Sequence, residues 1–567
     1  MRPHIVRKWF AFTSAFLMLA TACTNTSREK DLAVSRPNII LIMADDLGYS
    51  DLGCYGGEIN TPNLDLLASR GIRLTQFYNA GRCCPTRASL LTGLYPHQAG
   101  IGQMTMDARK PGYRGFLTAN TVTIAEVLKS AGYITGMAGK WHVSETLEFE
   151  AYKQLKWLSH QENYGPFSDT SQYPIARGFD KYFGNIWGVV DYFDPFSLVN
   201  GKEQVLDVPL NYYHTDAISD TAISYVEQFS KKKKPFFLYV AYTAPHWPIQ
   251  ALPEDIKKYE DLYKSGWQEL RKKRYKKMIK LGLFDSTNTA LSPWMFPNKT
   301  WSENKDSCWD AHAMAVHAAM VDRMDTGIGR LIHRLKELNE IDNTLILFLS
   351  DNGASPENPA LYGPGFDRPG NLRDGRKIIY PVVKSWQNMP GSETVMAGIG
   401  DHWAHAINTP FRYWKAKMFD GGVCTPLIAH WPSGIAFKNL ISNEEGHVID
   451  FMATFVEIAH AKYPQEFKEK KITPMQGKSL MPIFKKGNRE GAEYIFWEHF
   501  GSKGLRHGQW KIVQFDNQSA WQLFDMEKDR TENKDLSAQH PEILESMKRK
   551  WKEMATVAKV YPLPEDK

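Results

Sequence analysis

Apolar and polar positions follow two different periods along most of this chain. Residues 37–44 form a mostly apolar run, rich in β-branched residues, that ends in Asp45-Asp46, the pattern of a parallel strand buried on both faces. Residues 235–242 and 344–350 repeat it, and the latter closes on Asp351-Asn352-Gly353. Helical spacing marks 121–131, which leads into a strand over 132–138. It also marks 311–338, where Met314, Val321, Met324, Ile328, Leu331 and Leu335 make one stripe. Strands alternating with helices predict a doubly wound α/β sheet. Ligands of such sheets sit beyond the carboxyl ends of the strands. Asp45, Asp46, His246, Asp351 and Asn352 all fall there, on three separate strands.

The texture changes after about residue 485. Short strands at 494–497, 510–514 and 521–524 are separated by turns, and a helix is expected near 541–557. This predicts a small antiparallel sheet with one helix, a C-terminal α+β subdomain over 486–567. At the other end, Arg2, Arg7 and Lys8 precede an apolar run over 9–22, too short to span a bilayer. Residues 1–22 therefore read as a signal peptide. The stretch Leu19-Ala20-Thr21-Ala22-Cys23 resembles a bacterial lipobox, which predicts cleavage before Cys23, acylation of Cys23 and a polar tether over 23–35. A lipid anchor would place the protein at the cell envelope, in the periplasm or on the outer membrane.

Composition narrows the picture. The chain has 567 residues, 43% hydrophobic and 23% charged, ordinary values for a folded protein of more than one packed unit. Its net charge is +6, or +3 without the three basic leader residues, which excludes the charge excess of a nucleic-acid binder. The basic runs at 231–234 and 271–280 read as solvated surface. Six cysteines (Cys23, Cys54, Cys83, Cys84, Cys308 and Cys424) make no disulfide framework for this length. No CxxC pair or HExxH helix suggests zinc.

The chemistry gathers at the sheet mouth. Asp45-Asp46 and Asp351-Asn352 together offer the oxygen ligands that a hard divalent cation prefers. Carboxylates crowded with cations there suit an anionic substrate such as phosphate or sulfate.

The stretch Cys83-Cys84-Pro85-Thr86-Arg87 followed by Leu91-Thr92-Gly93 resembles the signature of the formylglycine-dependent sulfatases of the alkaline phosphatase superfamily. A second sulfatase motif follows from Gly132 to Gly139-Lys140-Trp141-His142. Arg36-Pro37-Asn38 with Asp45-Asp46, Ala244-Pro245-His246, Ser350-Asp351-Asn352-Gly353 and Lys415…Asp420-Gly421-Gly422 also match, in family order. The resemblance runs from about residue 36 to the C-terminus and makes 36–485 the catalytic domain. One departure is Asp420, where many members have Glu; it is expected to order a loop.

The resemblance implies an alkaline-phosphatase-like fold and a sulfuric ester hydrolase of the arylsulfatase type. It implies that Cys83, two positions before Pro85, is oxidised to formylglycine by a maturase, and that calcium is bound by Asp45, Asp46, Cys83 (as its formylglycine), Asp351 and Asn352. Arg87, Lys140, His142, His246 and Lys415 complete the implied catalytic set. His142 takes a proton from the nucleophile, and His246 donates one to the leaving alcohol. The five-residue spacing to Asp420 selects Lys415 over Lys417. Asp401, His402 and His405 are candidate sugar contacts, and His499 is expected to close over the pocket. The expected substrate is a sulfated carbohydrate of host or algal origin, attacked from a chain end, with galactose and N-acetylhexosamine sulfates as candidates. The alternatives are a phosphate or phosphonate ester hydrolase of the same superfamily and a non-catalytic glycan-binding protein.

Overall fold

The structure, a computed structural model, describes residues 36–147, 151–158, 162–359, 363–364, 368–380 and 382–564. The leader, the tether and Cys23 lie outside the described residues. Ten strands form the main sheet: β1 (Asn38–Ala44), β2 (Ile72–Tyr78), β3 (Ile134–Gly139), β4 (Lys181–Asn185), β5 (Leu198–Asn200), β6 (Glu203–Gln204), β7 (Phe236–Ala241), β8 (Thr344–Ser350), β9 (Cys424–His430) and β10 (Leu440–His447). Their order is β10-β2-β9-β8-β1-β7-β3-β4-β5-β6.

The four central strands β8, β1, β7 and β3 run parallel, so their carboxyl ends open on one edge. β9 is antiparallel to both β8 and β2. Its amino end therefore lies at that same edge, and so does the carboxyl end of β2. This direction change brings in residues that precede β9, Lys415 and Asp420 among them.

Alternation along β1 shows why its apolar run is unbroken over 39–44. Ile40 and Ile42 join one core, with the long helix Ser307–Glu337. Ile39, Leu41 and Met43 join another, with Leu90, Leu91, Val127 and Phe451. A strand covered by helices on both faces needs apolar side chains at every position. Thr123 and Glu126 form a capping box that starts the helix Ile124–Ser130, inside the expected 121–131.

The C-terminal sheet is antiparallel: β13 (Ile495–His499), β14 (Ser502–His507), β15 (Trp510–Gln514) and β16 (Trp521–Asp525). One face packs Phe496, Leu505, Ile512 and Leu523 on Met547, Trp551 and Ala555 of the helix Pro541–Val557. From the other face, Trp497, Val513 and Phe524 join the main core. Between Glu466–Phe467 (β11) and Lys470–Lys471 (β12) runs a small antiparallel ladder. Among the described residues, no helix is long and apolar enough to cross a membrane.

Candidate active site

Each strand end at the open edge delivers polar side chains. β1 delivers Asp45 and Asp46, β3 delivers Lys140 and His142, and β7 leads to His246. β8 ends in Asp351 and Asn352. The loop after β2 leads to Arg82 and into the helix Cys83–Thr92, which carries Cys83 and Arg87. Asp46 and His142 hold left-handed backbone, φ 64° and 52°, a strain on the order of 1–3 kcal/mol each that clusters at functional sites.

Ion pairs knit the set together. The fully buried Arg87 donates to Asp351 Oδ2 at 2.8 Å and to the carbonyl of Lys140 at 2.9 Å. Lys140 donates to Asp45 Oδ2. Lys415 Nζ lies 2.9 Å from Asp46 Oδ1, 3.2 Å from Glu357 Oε2 and 3.4 Å from His246 Nε2. Its neighbour Lys417 instead faces Phe515. Burial works against the charge of Asp45, but Lys140, His246 and Arg87 outweigh it and hold the carboxyl far below its usual range. For Asp351, burial and the nearby Asp45 prevail over Arg87 and push it up to about 7.

The donor set fits a hard divalent cation. Ligand atoms of Asp45, Asp46, Cys83 and His246 all lie within 4.8 Å of one another. Asn352 Nδ2 donates to Asp46 Oδ1 at 2.6 Å, which orients the amide. Asn352 Oδ1 and Asp45 Oδ1 are both buried with no hydrogen-bond donor among the described residues. Two orphaned acceptor oxygens are costly unless a cation or donor takes them.

Cys83 opens onto a cavity of about 270 Å³, also lined by His142, Trp187, His246, Trp247, Glu357 and Lys415. Burial keeps the Cys83 thiol protonated well above its ordinary range, with Lys415 opposing and Asp45 reinforcing. Burial, with Lys140 and Arg87, keeps His142 neutral. Burial lowers His246 as well, against Asp46. His246 Nδ1 faces the carbonyl of Trp247 at 2.5 Å. That bond makes Nδ1 the donor and leaves Nε2 for exchange. Gly188 lies against His142: a Cβ there would stand 2.6 Å from its Nε2.

Cys83, Arg87, Lys140, His142, His246 and Lys415 thus come together with Asp45, Asp46, Asp351 and Asn352. The four expected sugar contacts do not line this cavity. Asp401, His402 and His405 belong to the helix Gly400–Ile407. The His402 ring stacks 4.2 Å from Phe296 and 4.5 Å from Trp267, and Asp401 pairs with it at 2.7 Å. His405 is buried 5.1 Å from Trp294. An aromatic cluster absorbs these imidazoles as apolar rings. His499 is fully buried, with Nδ1 3.2 Å from the Gly102 carbonyl. Arg82 and Glu357 were not singled out by the sequence, although Arg82 directly precedes Cys83 and Glu357 follows Asn352 by five residues. Asp420 binds Lys511 at 2.5 Å and Arg530 at 2.6 Å, tying the loop before β9 to the C-terminal subdomain.

The chain matches the sulfatase family model over residues 37–461. Residues 411–558 match the model for the C-terminal part of N-sulphoglucosamine sulphohydrolase. It is 31% identical to an uncharacterized sulfatase of Schizosaccharomyces pombe, over 95% of this chain and 97% of that protein. With the arylsulfatase of Klebsiella aerogenes it shares 32% identity, over 79% of this chain and 92% of the relative. Among solved structures, Ps i-CgsB in complex with k-i-k-neocarrahexaose is similar, with a TM-score of 0.62 and 27% identity, covering 92% of this chain and 93% of that one.

Proposed function

The chain belongs to the sulfatase family, whose members are sulfuric ester hydrolases, and we propose that it removes sulfate from carbohydrates one terminal sugar at a time. The observation that carries this reading is the cavity. Its lining includes Cys83, the neutral imidazoles of His142 and His246, and the rings of Trp187 and Trp247. Apolar ring faces beside polar side chains suit a sugar, and about 270 Å³ lies just below the usual range of ligand sites, which starts near 300 Å³. That size favours one ring over a run of polymer. The similar Ps i-CgsB, solved with a neocarrahexaose, supports a sulfated glycan as the substrate class.

A protonated, buried Cys83 thiol is a poor nucleophile; formylglycine made from it would supply a hydrated aldehyde in its place. A calcium ion held by Asp45, Asp46, Asp351 and Asn352 would supply Lewis-acid polarisation of the sulfate oxygens. Lys140 and Lys415 meet negative charge as it develops on the non-bridging oxygens. Arg87 holds Asp351 and the Lys140 carbonyl in place. His142, neutral and with no partner for Nδ1 among the described residues, accepts a proton there. His246 Nε2, unprotonated at rest, takes a proton from Lys415 Nζ, 3.4 Å away, and passes it to the leaving alcohol oxygen.

On the sequence reading, the protein is tethered at the bacterial cell envelope through an acylated Cys23; a Cys23→Ser chain recovered in the soluble fraction would bear this out. The chemistry is tested by the mass of the Cys83 peptide after co-expression with a maturase, alongside sulfate release. Conversion with activity, and loss of activity in Cys83→Ala, is the expected outcome. Unconverted cysteine in an active protein would refute the nucleophile.

A further inference from the structure

Glu357 and Arg82 line the cavity but belong neither to the acidic cluster nor to the proton relay. Glu357 accepts from four donors. Arg82 Nη2 reaches its Oε1 at 2.8 Å. Trp247 Nε1 at 2.7 Å, Ser355 Oγ at 3.1 Å and Lys415 Nζ at 3.2 Å share its Oε2. With Oε2 so occupied, Glu357 is a clamp rather than a sugar ligand. The clamp joins the segments that carry Cys83, His246 and Lys415.

Arg82 is what the clamp presents. Its side chain keeps 21% exposure on the cavity wall. Glu357 takes its Nη2, and its Nε, without a protein acceptor among the described residues, is itself buried, so only the exposed remainder of the guanidinium is open to a ligand. A guanidinium carries five N–H donors in a planar fork that matches an oxoanion. Glu357 lies between two cations, Arg82 and Lys415, and Lys415 has a second carboxylate partner in Asp46, 2.9 Å away. We propose that Arg82 is a specificity-determining residue that binds an oxoanion of the substrate other than the scissile sulfate: a carboxylate or a second sulfate close to the ester. This rests on the sulfatase reading of the same cavity. The scissile group is served there by Lys140 and Lys415, which leaves the Arg82 fork for a second anion. Because Glu357 already orders the side chain, little conformational entropy is lost on binding.

The test compares kcat/KM for wild type, Arg82→Gln and Arg82→Lys, each corrected for Cys83 conversion by peptide mass. The substrates are one monosulfated N-acetylhexosamine, the same sugar with a second sulfate, and the same monosulfated sugar linked to a uronate. Wild type is expected to prefer one doubly anionic substrate by roughly 10- to 100-fold, the range of a charge-assisted hydrogen bond. Which of the two is preferred identifies the anion. Arg82→Gln should bring that preference close to one, mainly through KM, and Arg82→Lys should restore only part of it, because an ammonium cannot fork. Activity without a charge preference in wild type, or an equal loss on all three substrates in Arg82→Gln, would overturn the proposal alone. Inactivity of fully converted wild type on every sulfate ester would overturn the parent reading and this one with it.

Discussion

Gly188→Ala perturbs the site through a single methyl group. The added Cβ would stand 2.4 Å from His142 Cε1 and 2.6 Å from its Nε2, whereas ordinary contact begins at 3.4 Å. The ring must give way by about 1 Å, and it can, because it borders the cavity. Misplacing a catalytic group by about 1 Å costs on the order of 10²-fold in rate, or roughly 2.7 kcal/mol of transition-state stabilisation. The assay is kcat/KM for a sulfate ester, with Tm measured in parallel. We expect a loss of about 10²-fold with a modest change in Tm, since the strain relaxes into open space. A double-mutant cycle adds the decisive control. If the methyl acts through His142, then Gly188→Ala adds little to the loss already caused by His142→Ala. Full activity of Gly188→Ala, or fully additive losses, would refute the reasoning.

Three further outcomes follow from the geometry. His246→Ala should slow a sugar sulfate by about 10²-fold or more and a nitrophenyl sulfate much less, because a sugar alcohol needs the proton more; equal losses would count against His246 as the acid. Asp420→Ala leaves Arg530 buried without its carboxylate, while Lys511 keeps Glu532 Oε1 at 2.7 Å, and should cost about 3 kcal/mol in denaturant unfolding, the low end for a broken buried pair. Burial works against the Asp420 charge, but Lys511 and Arg530 outweigh it and hold the group at about 2 instead of 3.8. Its contribution is therefore complete above about pH 4, and the Tm gap between wild type and variant should close as pH falls toward 2. Chelation of divalent cations should lower both Tm and activity, and added calcium should restore both; indifference of both to the chelator would remove the metal from the account.

The central strands were legible because both faces of the sheet are covered, so every residue of 39–44 and 345–349 had to be apolar. The cluster at the open edge was legible because its motifs are short and contiguous, and most follow a strand that opens on that edge. β14 escaped notice: Ser502-Lys503-Gly504-Leu505-Arg506-His507 has only Leu505 as an apolar anchor, and pairing with β13 and β15 makes it a strand. The antiparallel β9 was equally silent, since direction in a sheet is a tertiary property. His402 and His405 misled because a histidine's chemistry depends on its surroundings, here Trp267, Trp294 and Phe296 from a distant segment. Glu357 carries no motif; its four donors come from positions 82, 247, 355 and 415, and only folding collects them.

The most direct test of the central claim is sulfate release from 3-, 4- and 6-sulfated monosaccharides, with phosphate esters alongside, by protein whose Cys83 conversion has been verified. Cleavage of one sugar sulfate, with phosphate esters turned over more slowly, is the expected result. Faster phosphate release, or no release from any sugar sulfate by converted protein, would contradict it.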